Sequence, residues 1–292
     1  MYARMGISNI TTQHIGGGNM TLLASWIGVD NHGPTSAYMV SDSRISWGLK
    51  RNFDYGKKVF ASSQYPEIFG YAGDVIFPSI VLSQLIEMID AGILFTPEMT
   101  CSEKHVAVFE KLCHSFSKYP EDCVPHPVQI LHISRDTTFE KYPAFSCRLF
   151  TWSAKSGWHC KTIDIPNESG ILCVLGSGSK EFNPNYERYC IGANSGTSRS
   201  VFHCFIDTLF NTTDPACGGP PQLVGIYRKP GTNAANFGII YNKKRYLLGM
   251  ELPDGVTYDK IEWRNELFEI ADGATKKKAH SAASQPDPFR RK

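Results

Sequence analysis

Four short segments of this sequence carry residue types suited to acyl-transfer chemistry. Thr21 heads the apolar run Thr21-Leu22-Leu23-Ala24-Ser25-Trp26-Ile27-Gly28-Val29, directly after Met20. Ser41-Asp42-Ser43-Arg44 closes a second apolar run, and Lys58-Val59 follows with Lys58 sixteen positions beyond Asp42. Gly176-Ser177-Gly178-Ser179 comes after Ile171–Leu175, and Asp214-Pro215-Ala216-Cys217-Gly218-Gly219 sits between a helical and a strand-like stretch. A threonine hydroxyl is a poor nucleophile until a base takes its proton, and a threonine with a free α-amine carries that base itself. A buried lysine, kept charged by an aspartate, lowers the cost of the alkoxide. Each segment also has an ordinary reading. Asp42 can cap a turn, Lys58 can be a solvated strand residue, Gly-Ser-Gly can be a tight turn, and Asp214-Pro215 can end a helix. The glycines do not complete a phosphate-binding loop, since no third glycine or Gly-Lys-Ser/Thr follows.

These segments need elements to hold them. Apolar alternation and turn residues predict strands over Thr21–Val29 and Ala37–Val40, joined near Asn31-His32-Gly33-Pro34, and over Lys57–Ala61 and Ile68–Ala72. Ile80, Val81, Leu85, Met88 and Ile89 form a helical stripe within 77–93, and a second helix is predicted over Glu103–Ser117. Strands return over Val128–Ile133, Cys147–Trp152, His159–Ile165 and Ile171–Leu175. A helix over Arg199–Phe210 then precedes strands Leu223–Tyr227, Phe237–Tyr241 and Arg245–Leu248. Strands, helices, strands, helix, strands is an α+β layered plan with two sheets, not a βαβ alternation.

Composition narrows the function class. The 292 residues are 42% hydrophobic and 20% charged with a formal net charge of +2, too small a charge to imply a nucleic-acid partner. Nine scattered cysteines without a Cys-x-x-Cys pair read as reduced thiols of a cytoplasmic protein. The histidines show no metal spacing, so neither a metal nor a cofactor is expected. No apolar stretch reaches membrane-spanning length and the start lacks a secretory h-region, so no membrane association is expected. Residues 271–292 are polar and basic and read as a disordered tail.

Taken together, the motifs resemble the N-terminal-nucleophile (Ntn) hydrolases of the proteasome β-subunit group. There a strand opens on the catalytic Thr, a second ends in Asp-Ser-Arg, and a Lys-Val pair follows about sixteen positions later. An Ala-Gly turn leads into the first helix, a Gly-Ser-Gly comes late, and Asp-Ala-x-Ser-Gly-Gly precedes the last strands. Here these are Thr21, Asp42-Ser43-Arg44, Lys58-Val59, Ala72-Gly73, Gly176-Ser177-Gly178 and Asp214 to Gly219, spanning roughly Thr21 to Leu248. The resemblance implies a four-layer αββα sandwich of two antiparallel sheets flanked by helices. It implies Thr21 as nucleophile, Lys58 and Asp42 as its cation and holder, and Ser177 and Asp214 as partners of the α-amine. It further implies Gly73 N–H as oxyanion donor, Cys217, Gly176 and Gly178 in support, and Ile45, Tyr71 and Val75 lining a substrate pocket.

The expected activity is that of a threonine peptidase on peptides or unfolded proteins. A homo-oligomeric ring and a separate ATPase partner are implied by the same resemblance. Alternatives are a non-peptide amidohydrolase on this fold, or a non-catalytic scaffold like the proteasome α-subunits. The chain departs from the pattern in three places: Cys217 stands where the group has Ser, the Asp30–Ala37 hairpin is longer, and Met20 rather than Gly precedes Thr21. The expected organisation is a leader, propeptide or misassigned start over 1–20, an Ntn-hydrolase domain over 21–270, and the tail. The Met20–Thr21 bond is opened by autoprocessing, by methionine removal at an internal start, or not at all.

Overall fold

A computed structural model describes residues 21–47, 51–120, 123–124, 126–137, 142–255 and 258–283. The expected leader, 1–20, lies outside them. The elements run β1 (Leu23–Asp30), β2 (Gly33–Ser41), β3 (Ile45–Ser46), β4 (Asn52–Phe53), β5 (Val59–Ala61), β6 (Glu67–Gly73), α1 (Ile76–Asp90), α2 (Cys101–Phe116), β7 (Val128–Arg135), β8 (Phe145–Ser153), β9 (Gly157–Ile163) and β10 (Gly170–Leu175). They continue with α3 (Ser179–Tyr189), α4 (Ser198–Asn211), β11 (Gln222–Tyr227), β12 (Ala234–Tyr241), β13 (Lys244–Leu247), β14 (Met250–Glu251), β15 (Trp263–Arg264) and β16 (Ile270–Ala271). The larger sheet runs β10-β1-β2-β11-β12-β13-β14, with β15 joining β12 and β16 joining β15; the second runs β5-β6-β7-β8-β9. The described pairs are antiparallel except β12 with β15. The chain is therefore a mixed helix and sheet protein.

Of three apolar clusters, two show why β1 reads from Leu23 to Val29 as an apolar run interrupted only by Ser25. Ala24 and Trp26 pack with Tyr38, Phe182 and Tyr186 of α3, and Val201, Phe202 and Phe205 of α4. Leu23 and Ile27, on the opposite face of β1, pack with Met39, Ile68, Ala72, Leu131 and Ile133, which brings in the second sheet. A strand covered on both faces loses the polar alternation of a half-exposed one. The outer face of the second sheet packs Tyr71, Val128, Ile130 and Phe150 against Val81, Leu85, Val108 and Leu112 of α1 and α2. Thr100 begins α2 with a capping box, its side chain accepting from Glu103 N–H while the Glu103 carboxylate accepts from Thr100 N–H, so two otherwise unpaired donors are satisfied.

A helix went unread in the sequence. α3 follows the Gly-Ser-Gly turn directly, but contains Pro184 and buries only Phe182 and Tyr186, too sparse a stripe to register. The two-residue strands β3, β4 and β14 to β16 were also unread, because two residues carry no period. Within the segment assigned to the tail, Ala271 bridges Lys278, and Arg245 donates to the Gly273 and Ala274 carbonyls. Residues 284–292 lie outside the described residues. None of the described helices is long and apolar enough to cross a membrane.

Between α2 and the second sheet lies a buried polar chain. Glu67 accepts from Lys104 Nζ and Ser134 Oγ, each at 2.9 Å, and lies 2.9 Å from His132 Nε2. His132 Nδ1 meets His105 Nδ1 at 2.9 Å, and His105 Nε2 meets Ser146 Oγ at 3.1 Å. Burial pushes the Glu67 carboxyl up to about 7 against the pull of Lys104. Burial, with His132 beside it, pushes His105 down to about 2, and burial also holds His132 well below its usual value.

Candidate active site

Antiparallel pairing of β1 with β2 brings Thr21 and Asp42 to the same end of one hairpin, since Leu23 lies opposite Ser41. The longer turn at Asp30 is at the other end and leaves this register untouched. Asp42 N–H donates to the Leu22 carbonyl at 3.1 Å, and Leu22 N–H donates to Asp42 Oδ1 at 3.0 Å. Lys58 arrives from the other sheet, one residue before β5. Its Nζ donates to Thr21 Oγ1 at 2.9 Å and to Asp42 Oδ1 at 2.8 Å. Thr21, Asp42 and Lys58 are each 0% exposed.

Burying an ion pair is costly unless the remaining lone pairs are also satisfied. Asp42 meets that condition. Oδ2 accepts Arg44 N–H at 3.2 Å and Gly218 N–H at 3.0 Å, so the carboxylate has three backbone donors besides Lys58. Arg44 in turn forks onto Asp54 at 2.8 and 2.9 Å and donates to the Cys217 carbonyl at 3.2 Å, tying the Asp214–Gly219 segment to the Asp42 turn. A side chain on Gly218 would meet the Arg44 guanidinium, and on Gly219, at φ 72°, the Asp54 backbone. That close packing is why two glycines stand together here.

The Gly-Ser-Gly turn comes up beside Thr21. Gly178 N–H donates to the Thr21 carbonyl at 3.2 Å, and a Cβ at Gly178 would lie 2.7 Å from Leu22 Cβ and 3.0 Å from Cys217 Sγ. Gly176, at φ 85°, makes the bend, its carbonyl accepting from Ser179 Oγ at 2.7 Å. Ser177 and Asp214 both meet Cys217: Sγ is 3.8 Å from Ser177 Oγ and donates to Asp214 Oδ2 at 3.6 Å. Neither is hydrogen-bonded to Thr21 among the described residues. Burial, with Asp42 and Asp214 nearby, pushes the Cys217 thiol up, so it stays protonated and serves as a donor rather than a second nucleophile.

Gly73 ends β6 at φ 92°, a conformation that favours glycine. Of the expected pocket residues, Tyr71 is fully buried in the cluster under α1 and α2, and its phenol donates to the Lys57 carbonyl at 3.2 Å. Ile45 lies over Gly56, and Val75 is the residue before α1. A cavity of about 420 Å³ lined by Tyr65, Asp90, Arg135 and Thr232 opens at the opposite end of β5 and β6 and shares no residue with this constellation. Among the described residues no group of His, Cys, Asp and Glu is arranged to hold a metal.

Two features escaped the sequence reading. One is the Arg44–Asp54 fork. The other is Gln222, whose side chain binds the backbone of both Asp42 and Lys58; a lone polar residue at the head of Leu223-Val224-Gly225-Ile226 was the available signal. Gly249 supports the same corner from behind. It sits at φ 84°, and a methyl there would run into Ser43 Oγ and crowd Gln222. Gly249→Ala is expected to lower the unfolding free energy by about 1–3 kcal/mol, from overpacking plus a disfavoured φ. Urea titration checks this, and an unchanged midpoint refutes it.

No protein-family model and no curated protein matches the chain. Solved structures similar to it include Anbu (ancestral beta-subunit) from Yersinia bercovieri, at 13% identity over 79% of this chain and 88% of that one, TM-score 0.48. Anbu from Hyphomicrobium sp. strain MC1 is similar at 15% identity over 78% and 87%, TM-score 0.47, and its Gly-1 mutant at 14% over 78% and 87%, TM-score 0.49. Likenesses below 25% identity with TM-scores under 0.5 do not carry residue roles from one chain to another.

Proposed function

We propose that this chain is a threonine-type peptidase whose nucleophile is Thr21 with its α-amine freed by opening of the Met20–Thr21 bond. The observation that carries the reading is the buried contact of Lys58 Nζ with both Thr21 Oγ1 and Asp42 Oδ1. A cation 2.9 Å from a threonine oxygen in a water-excluded site lowers the energy of the alkoxide far more than it would in water. The freed α-amine, with a reference pKa of about 7.7–8.0, takes the Oγ proton as Oγ bonds to the substrate carbonyl carbon. Gly73 N–H stabilises the oxyanion. The C–N bond then breaks, the ammonium returns its proton to the leaving amine, and water deprotonated by the α-amine hydrolyses the Thr21 ester. Asp42 positions Lys58, while Ser177 and Asp214, joined through Cys217, border the amine.

The reading includes the four-layer αββα Ntn-hydrolase fold, which the three apolar clusters support. It also includes a homo-oligomeric ring in the cytoplasm acting on peptides or unfolded protein, with unfolding left to a separate ATPase.

N-terminal sequencing and an epoxyketone probe test the proposal. Active material is expected to begin at Thr21 and to carry one adduct on Thr21, absent in Thr21→Ala. Labelled protein that retains Met20 overturns it, as does an adduct elsewhere. Labelling without peptide hydrolysis assigns the amidohydrolase alternative.

A further inference from the structure

Gln222 opens β11 and is fully buried. Its amide is used on both sides. Oε1 accepts Lys58 N–H at 2.9 Å and Val59 N–H at 3.4 Å. Nε2 donates toward the Asp42 carbonyl at 3.0 Å, Ser43 Oγ at 3.0 Å and the Gly56 carbonyl at 2.7 Å. Three acceptors share two hydrogens, so one N–H is bifurcated. All these partners lie on the two segments that carry the buried ion pair.

Those segments belong to different sheets. β2, which ends just before Asp42, pairs with β1 and β11; β5, which begins just after Lys58, pairs with β6. The short β3–β4 ladder joins the two segments only at Ile45 with Phe53 and Ser46 with Asn52, beyond Asp42 and before Lys58, so it does not hold those two residues opposite each other. Besides Gln222, the segments meet through the ion pair itself, through Gly56 N–H on the Ser43 carbonyl at 2.9 Å, and farther from the pair through the Arg44–Asp54 fork and the β3–β4 pairing. A lysine ammonium hangs on four rotatable bonds, so its position depends on a fixed backbone anchor. A primary amide can accept from the Lys58 segment while donating to both segments; a carboxylate cannot donate, and an ammonium cannot accept.

We propose that Gln222 is a positioning residue: its amide clamps the Lys58 backbone to the Asp42 backbone so that Lys58 Nζ meets Thr21 Oγ and Asp42 Oδ1 at once. The inference rests on the threonine-nucleophile reading. Gln222 makes no hydrogen bond to Thr21 among the described residues, so it acts through Lys58 and Asp42.

The test uses the processed full chain and a fluorogenic peptide, comparing wild type, Gln222→Met, Gln222→Glu and Thr21→Ala. Gln222→Met keeps the side-chain length and removes every polar contact. Its kcat is expected to fall about 10–100-fold with KM unchanged, the signature of misplaced catalytic groups. Gln222→Glu keeps the acceptor for Lys58 N–H. Protonated, it donates one hydrogen bond to a facing carbonyl; ionised, it confronts three oxygens. The ratio of its kcat to that of wild type is therefore expected to fall as pH rises through the carboxyl's titration. A purely packing role lowers melting temperature without creating that limb. Wild-type kcat in Gln222→Met, or a Gln222→Glu profile parallel to wild type, overturns the role of Gln222 alone. Should Gln222→Met not fold, the Gln222→Glu profile decides. Wild type no faster than Thr21→Ala overturns the nucleophile reading and the role of Gln222 with it.

Discussion

Replacing Lys58 with methionine is expected to slow peptide hydrolysis by about 10³-fold while leaving the protein folded, the upper range for removing one charge-stabilising donor from a closed site. Lys58 Nζ is the donor found on Thr21 Oγ1, and no described neighbour stands ready to replace it. The fold survives because Asp42 keeps the N–H groups of Leu22, Arg44 and Gly218 when the ammonium leaves. Loss of one partner of a buried pair still costs about 3 kcal/mol, which urea titration should register alongside the loss of activity. Lys58→Arg should not rescue the rate. Its planar guanidinium is bulkier and the space around Nζ is closed. Epoxyketone labelling of Lys58→Met at the wild-type rate would refute the assigned role of the cation.

The second large effect is on stability and sits in the buried chain behind α2. Lys104→Met is expected to lower the unfolding free energy by about 3–5 kcal/mol above pH 7, with a smaller loss at pH 5.5. The sign follows from the Glu67 carboxyl, raised to about 7 in the folded state. Between the usual glutamate value and about 7 the folded chain holds a proton that the unfolded chain has released, so the Glu67 contribution to stability falls as pH rises through that window. Below about 7 the folded Glu67 is already neutral, so the ion pair is weakened and removing Lys104 costs less. Above it the variant must keep Glu67 protonated or leave a carboxylate unpaired, and the penalty grows. His105 and His132, both lowered by burial, act in the opposite sense. The unfolded chain takes up their protons below about 6.5 while the folded chain does not, so their contribution rises with pH up to that point. Lys104 is itself one of the charges that lowers both, so Lys104→Met eases their depression and further reduces the penalty on the acid side, in the same direction. Equal penalties at pH 8 and pH 5.5 would show that the ion pair is not the cause.

The helix pairs and strands that carry the motifs were legible wherever periodicity was strong. α1 announced itself through Val81, Leu85 and Ile89, and β1 through an apolar run interrupted only by Ser25. α3 was lost to Pro184 and a stripe of two buried residues. The capping box at Thr100 is legible in the sequence as Thr100-x-x-Glu103, since its two hydrogen bonds join residues only three apart.

At the candidate site the division is sharper. Residue types and their order were readable along the chain: a threonine at a strand head, an aspartate closing the next strand, a lysine sixteen positions on, and glycines where backbones must approach. Those are local facts, fixed by spacing along one chain. It took the packing of the two sheets to bring the lysine of one to the hydroxyl and the carboxylate of the other at 2.9 and 2.8 Å, with all three groups out of water. The fold also decided that Ser177 and Asp214 both hydrogen-bond with Cys217. Gln222, 164 positions from Lys58, became visible as their common clamp only there. The physical reason is that hydrogen bonds act over about 3 Å of space whatever the separation along the chain. A strand's period reports which face a residue takes, and says nothing of which residue from another sheet will meet it there.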